Sequence, residues 1–330
     1  MSGVHVPDVV SRDVVSTIEY LHGRTGISRR TLLGWVGLQR SRYNRWRNTK
    51  PVTAAPDKLD TCPWELLEEE RQAILDYHHE MLQHDRRVGY RTLTYEMLDN
   101  DVVACSESSV YHTLKHAGRL SSRVIEPSKK GTGFEQPTAI HEHWHIDISY
   151  LWEFGHKAYL VTVLDGKSRY ILSHSVLTNI ETGSIEKVLQ KASERFPDAR
   201  PTLITDNGSQ FVSSQFRGLL VDFGFQQRRT SVNYPQANGK MERQFRTTKE
   251  LLRSRSIIDY DDLVDNIDQI VDFYCNSRYH SAVGFITPAD AFFGREMHIK
   301  QLRRRKLDDA RYRRKLVHSN LFNRVTHQFA

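Results

Sequence analysis

Apolar residues change their spacing several times along the chain, and each change marks an element. From Asp8 to about Leu21, Val9, Val10, Val14, Val15, Ile18 and Leu21 recur at helical spacing. Ser28 is suited to cap a second helix, and a third is expected around Ser41, carrying Tyr43, Arg45, Trp46 and Arg47. Three short helices separated by glycine-containing turns predict a helix-turn-helix. Pro51, Pro56 and Pro63 then break a weakly apolar stretch, which reads as a linker. A long helix is expected from Trp64 to about Asp85. Gly89 leads into a helix running through Met97, and Ser106 caps another from Glu107 to Ala117, closed by Gly118. A second linker, Glu126 to Pro137, precedes a segment of different character. Trp144–Trp152, Ala158–Asp165 and Arg169–Leu177 read as strands, Thr182–Phe196 as a helix, Pro201–Thr205 and Gly224–Val232 as further strands. Helices over Gln236 to about Arg255 and Asp261 to about Ser277 complete that region.

Composition narrows the function. Apolar content of 38% and charged content of 26% fit a soluble globular chain, and 330 residues allow two or three domains. Lysine and arginine exceed acidic residues by 47 to 40, for a net charge of +7, and the excess is clustered. Eight basic residues and no acidic one lie between Arg24 and Lys50, so nucleic acid is the expected partner. Arg29, Arg30, Arg42, Arg45 and Arg47 are the candidate DNA contacts there. Lys300 to Lys315 holds nine more basic residues and reads as a tail adding sequence-independent affinity. Three widely separated cysteines support neither a disulfide framework nor a cysteine-based zinc module. No signal or membrane segment is evident, and a cytoplasmic, nucleoid-associated location is expected.

Three acids stand out against these elements. Asp147 interrupts an apolar strand, Asp206 follows the strand at Leu203-Ile204, and Glu242 lies in a helix, sharing a face with Asn238, Arg246 and Lys249. Read singly, each has an ordinary explanation: an ion-paired strand Asp, turn chemistry in Asp206-Asn-Gly208, an exposed helical charge. Together they form a candidate carboxylate cage for two Mg²⁺ or Mn²⁺ ions, which would activate an attacking oxygen and stabilise a leaving one. Lys240 and Arg243 flank the Glu242 face as candidate phosphate contacts. His141, His143 and His145 alternate on the Asp147 side and are expected at an exposed or DNA-facing edge.

These residues carry a family resemblance. The 35 residues between Asp206 and Glu242, the run Tyr234-Pro-Gln-Ala-Asn-Gly-Lys-Met-Glu-Arg243, and the later pattern through Tyr274, Asn276, Arg278, His280, Ser281, Gly284, Thr287 and Ala289 resemble the DDE core of insertion-sequence transposases, more closely than that of retroviral integrases. Gly89-Tyr-Arg91 and Ser106, Ser109, Val110 and Tyr111 resemble the helix-turn-helix preceding that core. The resemblance implies an α/β, ribonuclease-H-like catalytic core with a mixed five-stranded sheet, preceded by all-α helix-turn-helix domains. It also implies double-stranded DNA as partner, both terminal repeats and target, and self-association into a multimer on DNA. Cleavage of phosphodiesters at element ends, followed by joining of the 3′-hydroxyl to target DNA, is the expected reaction. A transposase-derived DNA-binding regulator without catalysis, or a ribonuclease-H-type nuclease, are the alternatives. The expected divisions are 1–50 (helix-turn-helix), 51–63 (linker), 64–123 (second helix-turn-helix), 124–138 (linker), 139–296 (core) and 297–330 (basic tail). Arg278 and His280, with Asn238, are expected to position DNA or brace the core.

Overall fold

A computed structural model describes residues 8–48, 64–83, 88–120, 136–153, 155–230 and 239–328. Most of both expected linkers, and Asn238, lie outside the described residues. The chain divides into two compact units, 1–62 and 63–330.

The first unit holds α1 (Asp8–Thr25), α2 (Arg29–Trp35) and α3 (Arg40–Asn48). As the sequence predicts, Ser28 caps α2, its side chain accepting the Thr31 N–H. Gly26 and Gly37, with φ of +69° and +65°, make the two turns, a conformation glycine adopts without strain. The apolar core is small: Ile18, Leu32, Leu33 and Tyr43, with Val14, Val15, Ile27 and Leu38 around it. A polar hub supplements it. Glu19 accepts two bonds from the Arg29 guanidinium (Nε at 3.0 Å, Nη2 at 2.6 Å) and one from the Tyr43 hydroxyl at 2.5 Å. Arg29, expected at DNA, is therefore committed to tying α2 to α1. Arg42 stacks over Trp46 within α3, whereas Arg30, Arg45 and Arg47 are exposed.

The bonds from Arg29 and Tyr43 hold the Glu19 carboxyl down at about 2, below the 4.5 of a free glutamate. Because the folded value is the lower one, this contribution is complete above about pH 4.5 and is lost as pH falls towards 2. In segment-resolved hydrogen exchange of the full chain, Glu19→Gln is expected to lower protection of α1–α3 at pH 7. That deficit should shrink steadily below pH 4.5. A deficit that does not change with pH would remove the carboxylate's charge from the explanation.

The second unit begins with α4 (Glu68–Gln83), α5 (Tyr90–Asp99) and α6 (Glu107–His116), packed around Ile74, Leu93, Met97, Val110 and Leu114. Ser106 caps α6 through the Ser109 N–H. The strands are β1 (His143–Glu153), β2 (His156–Asp165) and β3 (Ile171–Leu177), a continuous antiparallel meander. After α7 (Thr182–Arg195), β4 (Thr202–Thr205) joins β1 in parallel. The short α8 (Ser209–Val212) and α9 (Ser214–Phe223) lead to β5 (Gln226–Arg229), parallel to β4. The sheet order β3-β2-β1-β4-β5 places the Asp147 strand at its centre. That mixed topology, with helices on a five-stranded sheet, is ribonuclease-H-like. β5 is shorter than its expected span.

Helices α10 (Gly239–Leu252) and α11 (Tyr260–Asn276) pack against this sheet. The inner face of α10, Met241, Phe245, Thr248 and Leu252, is buried, along with Gln244 and Thr247. A 3₁₀ turn (Ser281–Val283) and α12 (Pro288–Phe292) follow. The expected basic tail is instead α13 (Glu296–Gln328), a 33-residue helix laid against α4 and α5. Arg303 binds Asp99 through Nε and Nη2 at 2.8 and 2.7 Å, and Lys306 reaches Asp101 at 2.8 Å. Arg314 binds Glu70 at 2.7 Å with both side chains buried. Those cations face protein carboxylates rather than DNA, which corrects the expectation for Arg303, Lys306 and Arg314. Arg304 remains outside, its side chain 86% exposed.

Candidate active site

The register of the central strands governs the geometry. In the parallel pair β1–β4, His143, Trp144 and His145 lie opposite Thr202, Leu203 and Ile204. The pairing ends there: β4 closes at Thr205, and Asp206 follows it directly, at the end of the strand that neighbours the Asp147 strand. Each aspartate accepts a local backbone bond: Asp147 Oδ1 from the Ile148 N–H at 2.8 Å, and Asp206 Oδ1 from the Gly208 N–H at 2.9 Å. These bonds fix one oxygen of each carboxylate. Asp206 thus sits just past the carboxyl end of a buried parallel strand, where sheets of this kind present ligand-binding groups.

Glu242 approaches from α10. It lines a cavity of about 380 Å³ together with Asp147, Ile148, Ser149, Arg246, Lys249 and Arg253. Glu242, Arg246, Lys249 and Arg253 follow one another by four, three and four residues, a single helical face. The expected face is therefore present, and Arg253 extends it by one further turn. Sequence periodicity held that signal, since Arg253 continues the same spacing. Asp206 is not among the residues lining this cavity. Among the described residues, no three His, Cys, Asp or Glu side chains are close enough to form a metal cluster. Asp147 and Glu242 share a cavity, and Asp206 directly follows β4, the strand paired with β1.

The histidines differ from expectation. His143 and His145 are 6% and 0% exposed, and His141 is half-buried against Trp144, Phe196 and Phe292. The central strand is covered on this side by the β2–β3 turn, because the His143 carbonyl accepts the Gly166 N–H at 2.8 Å. Burial, then the nearby Lys240 and Arg169, push the His145 imidazole well below its ordinary range, so it is neutral. His280 is also buried and accepts the Ala282 N–H. Its value is lowered to about 3, first by burial and then by Arg278. Arg278 is half-buried over the Tyr274 ring. Lys240 donates to the Gly166 carbonyl at 2.9 Å and is depressed to about 7 by burial and by Arg169.

Comparison with known proteins agrees with this topology. Residues 137–235 and 223–288 match two integrase core domain families. The transposase for insertion sequence element IS904 of Lactococcus lactis is 26% identical over 179 residues, covering 53% of this chain and 70% of that protein. The chain carries an integrase core domain and is similar to insertion-sequence transposases. The putative transposase InsK for IS150 of Escherichia coli is 23% identical over 223 residues, covering 67% of this chain and 75% of that protein. Among solved structures, the HTLV-2 integrase catalytic core in complex with magnesium aligns with 47% of the chain at 17% identity and a TM-score of 0.39. No helix among the described residues is long and apolar enough to cross a membrane.

Proposed function

We propose that this chain cleaves phosphodiesters at the ends of a mobile element and joins the resulting 3′-hydroxyl to target DNA, with Asp147, Asp206 and Glu242 as its catalytic carboxylates. The observation that carries the reading is the meeting of Asp147 and Glu242 in one cavity, with Asp206 one strand away. Three carboxylates offer hard oxygen donors, the donor type that suits Mg²⁺ or Mn²⁺. A bound pair of such ions supplies Lewis acidity and charge stabilisation for in-line displacement at phosphorus. The chain's own part is to hold the ligands: β1 and the end of β4 present two carboxylates from a rigid sheet, and α10 presents the third. No side-chain nucleophile is required, so no covalent protein–DNA intermediate is expected.

Arg246, Lys249 and Arg253 line the same cavity and would meet DNA phosphates on either side of the scissile bond. Exposed Arg30, Arg45 and Arg47 of the first unit, and the α6 surface after Ser106, would bind the terminal repeats. Two or more copies would assemble across a pair of DNA ends. The direct test is incubation of the full chain with duplexes bearing the element's own ends and Mg²⁺ or Mn²⁺. Cleavage to a free 3′-hydroxyl and its joining to a second duplex is the expected result. Cleavage confined to RNA–DNA hybrids, or binding with no cutting under either ion, would overturn the reading.

Lys249→Ala is expected to weaken duplex binding uniformly across sequences. The slope of log affinity against log salt should become shallower by about one. An unchanged slope would take Lys249 off the phosphate path.

A further inference from the structure

Helix α10 carries a second cationic face that the catalytic cavity does not use. Lys240 and Arg243, three residues apart, are turned away from the Glu242–Arg246–Lys249–Arg253 face. Lys240 Nζ donates to the Gly166 carbonyl at 2.9 Å, and Arg169 donates to the same oxygen. Two cations therefore converge on one backbone acceptor in the β2–β3 turn. Arg278, from the segment after α11, lies 5.9 Å above the Tyr274 ring. Arg169, Arg243 and Arg278 are all near enough to Tyr274 and to His280 to act on their titration. Three segments far apart in sequence thus bring four positive side chains to one place.

Among the described residues, none of the four cations makes an ion pair with a carboxylate, whereas other arginines of the chain do. The nearby acids act on them only from beyond ion-pair distance, Asp165 on Lys240 and Arg169, Glu142 on Lys240 and Glu250 on Arg278. Asp165 accepts from the Lys167 and Ser168 N–H groups, the Ser168 hydroxyl and the His141 N–H. Glu142 accepts from Thr138 and Ala139, and Glu250 lies 3.9 Å from Arg246. Clustered charges of one sign without a direct ion pair repel one another, and a ligand of opposite sign would offset that cost. Arg169 also holds a φ of +68°, a left-handed backbone that a residue with a Cβ adopts only under strain.

We infer that Arg169, Lys240, Arg243 and Arg278 form a phosphate pocket, separate from the catalytic cavity, that grips a backbone phosphodiester of the bound DNA strand. Its position fits a phosphate on the strand being processed. Gly166, which anchors the pocket, abuts His143 and His145 on β1. His145 precedes Asp147 by two residues, about 7 Å along the strand, or one to two nucleotide steps of DNA. Such a contact would fix the register of the strand relative to the carboxylates.

The inference rests on the DNA-processing reading, and the test separates the two. Full-length protein is titrated by fluorescence anisotropy with an element-end duplex over a range of salt. The variants are Arg243→Gln, Arg278→Gln and Arg169→Gly, the last of which removes the cation while suiting the left-handed backbone. Each is expected to weaken binding several-fold and to flatten the salt slope by about one, with melting temperature retained in Arg169→Gly. A scan of single neutral methylphosphonate substitutions should find one or two positions that weaken the wild type and have no further effect in the variants. Wild-type salt slope and methylphosphonate pattern in all three variants, or a fall in melting temperature alone, would overturn the pocket while leaving the function standing. Stabilisation of the wild type but not the variants by millimolar inorganic phosphate, with DNA affinity unaffected, would assign a small-anion site and overturn the DNA-strand reading. A wild type that binds no end duplex would overturn both.

Discussion

Glu242→Gln is expected to abolish cutting of element-end duplexes while leaving duplex affinity nearly unchanged. The substitution keeps the size and polarity of the side chain on α10 but removes its negative charge. Glu242 is exposed on its helix and lines the cavity that also contains Asp147, so the change alters the cavity's charge without opening a packing defect. DNA affinity comes from the cations around the cavity, and these remain. Turnover should fall by more than about 10²-fold, the scale of losing one preorganised electrostatic group at a reacting centre. A gel assay of strand cleavage in Mg²⁺, run beside anisotropy binding, reads both quantities. Full activity in the variant would remove Glu242 from the chemistry.

The second large effect is on stability. Glu70 and Arg314, 7% and 4% exposed in their side chains, form a buried pair between α4 and α13. Arg314 also donates to the Ala104 carbonyl at 2.6 Å, and Glu70 accepts the Leu67 N–H at 3.0 Å. Burial raises the Glu70 carboxyl, but the bonds from Arg314, Leu67 and Arg313 outweigh it and leave it lowered, so the pair is ionised. Glu70→Ala strands the Arg314 charge in a desolvated site and is expected to cost about 3–5 kcal/mol. For a unit of this size that corresponds to a fall in melting temperature of about 6–20 °C. Arg304→Ala, on the exposed side of α13, should stay within about 0.5 kcal/mol of wild type. Calorimetry giving equal small effects for both would mean that α13 does not clasp the helical module.

Much of this site was legible because its residues break local patterns. A charge at Asp147 inside an apolar strand, and an acid-and-base face at Glu242, Arg246 and Lys249, are visible from spacing alone, and the structure groups Asp147 with that face. The caps at Ser28 and Ser106 were legible for the same reason, since a cap is settled within four residues. What the sequence concealed are partnerships across distance. Arg29 looks like a DNA contact until Glu19 is found against it, and Arg314 looks like part of a basic tail until Glu70, 244 positions away, is found beside it. The histidines of β1 alternate with apolar residues, which suggests an exposed face. Cover from a turn centred on Gly166 is a tertiary fact that no strand period encodes.

The central claim is that Asp147, Asp206 and Glu242 act as one ligand set. Anomalous diffraction from crystals soaked in Mn²⁺ tests it most directly. Two manganese peaks about 3.5–4 Å apart, within bonding distance of all three carboxylates, is the predicted result. Manganese bound elsewhere, or carboxylates that stay apart at saturating ion, would contradict it.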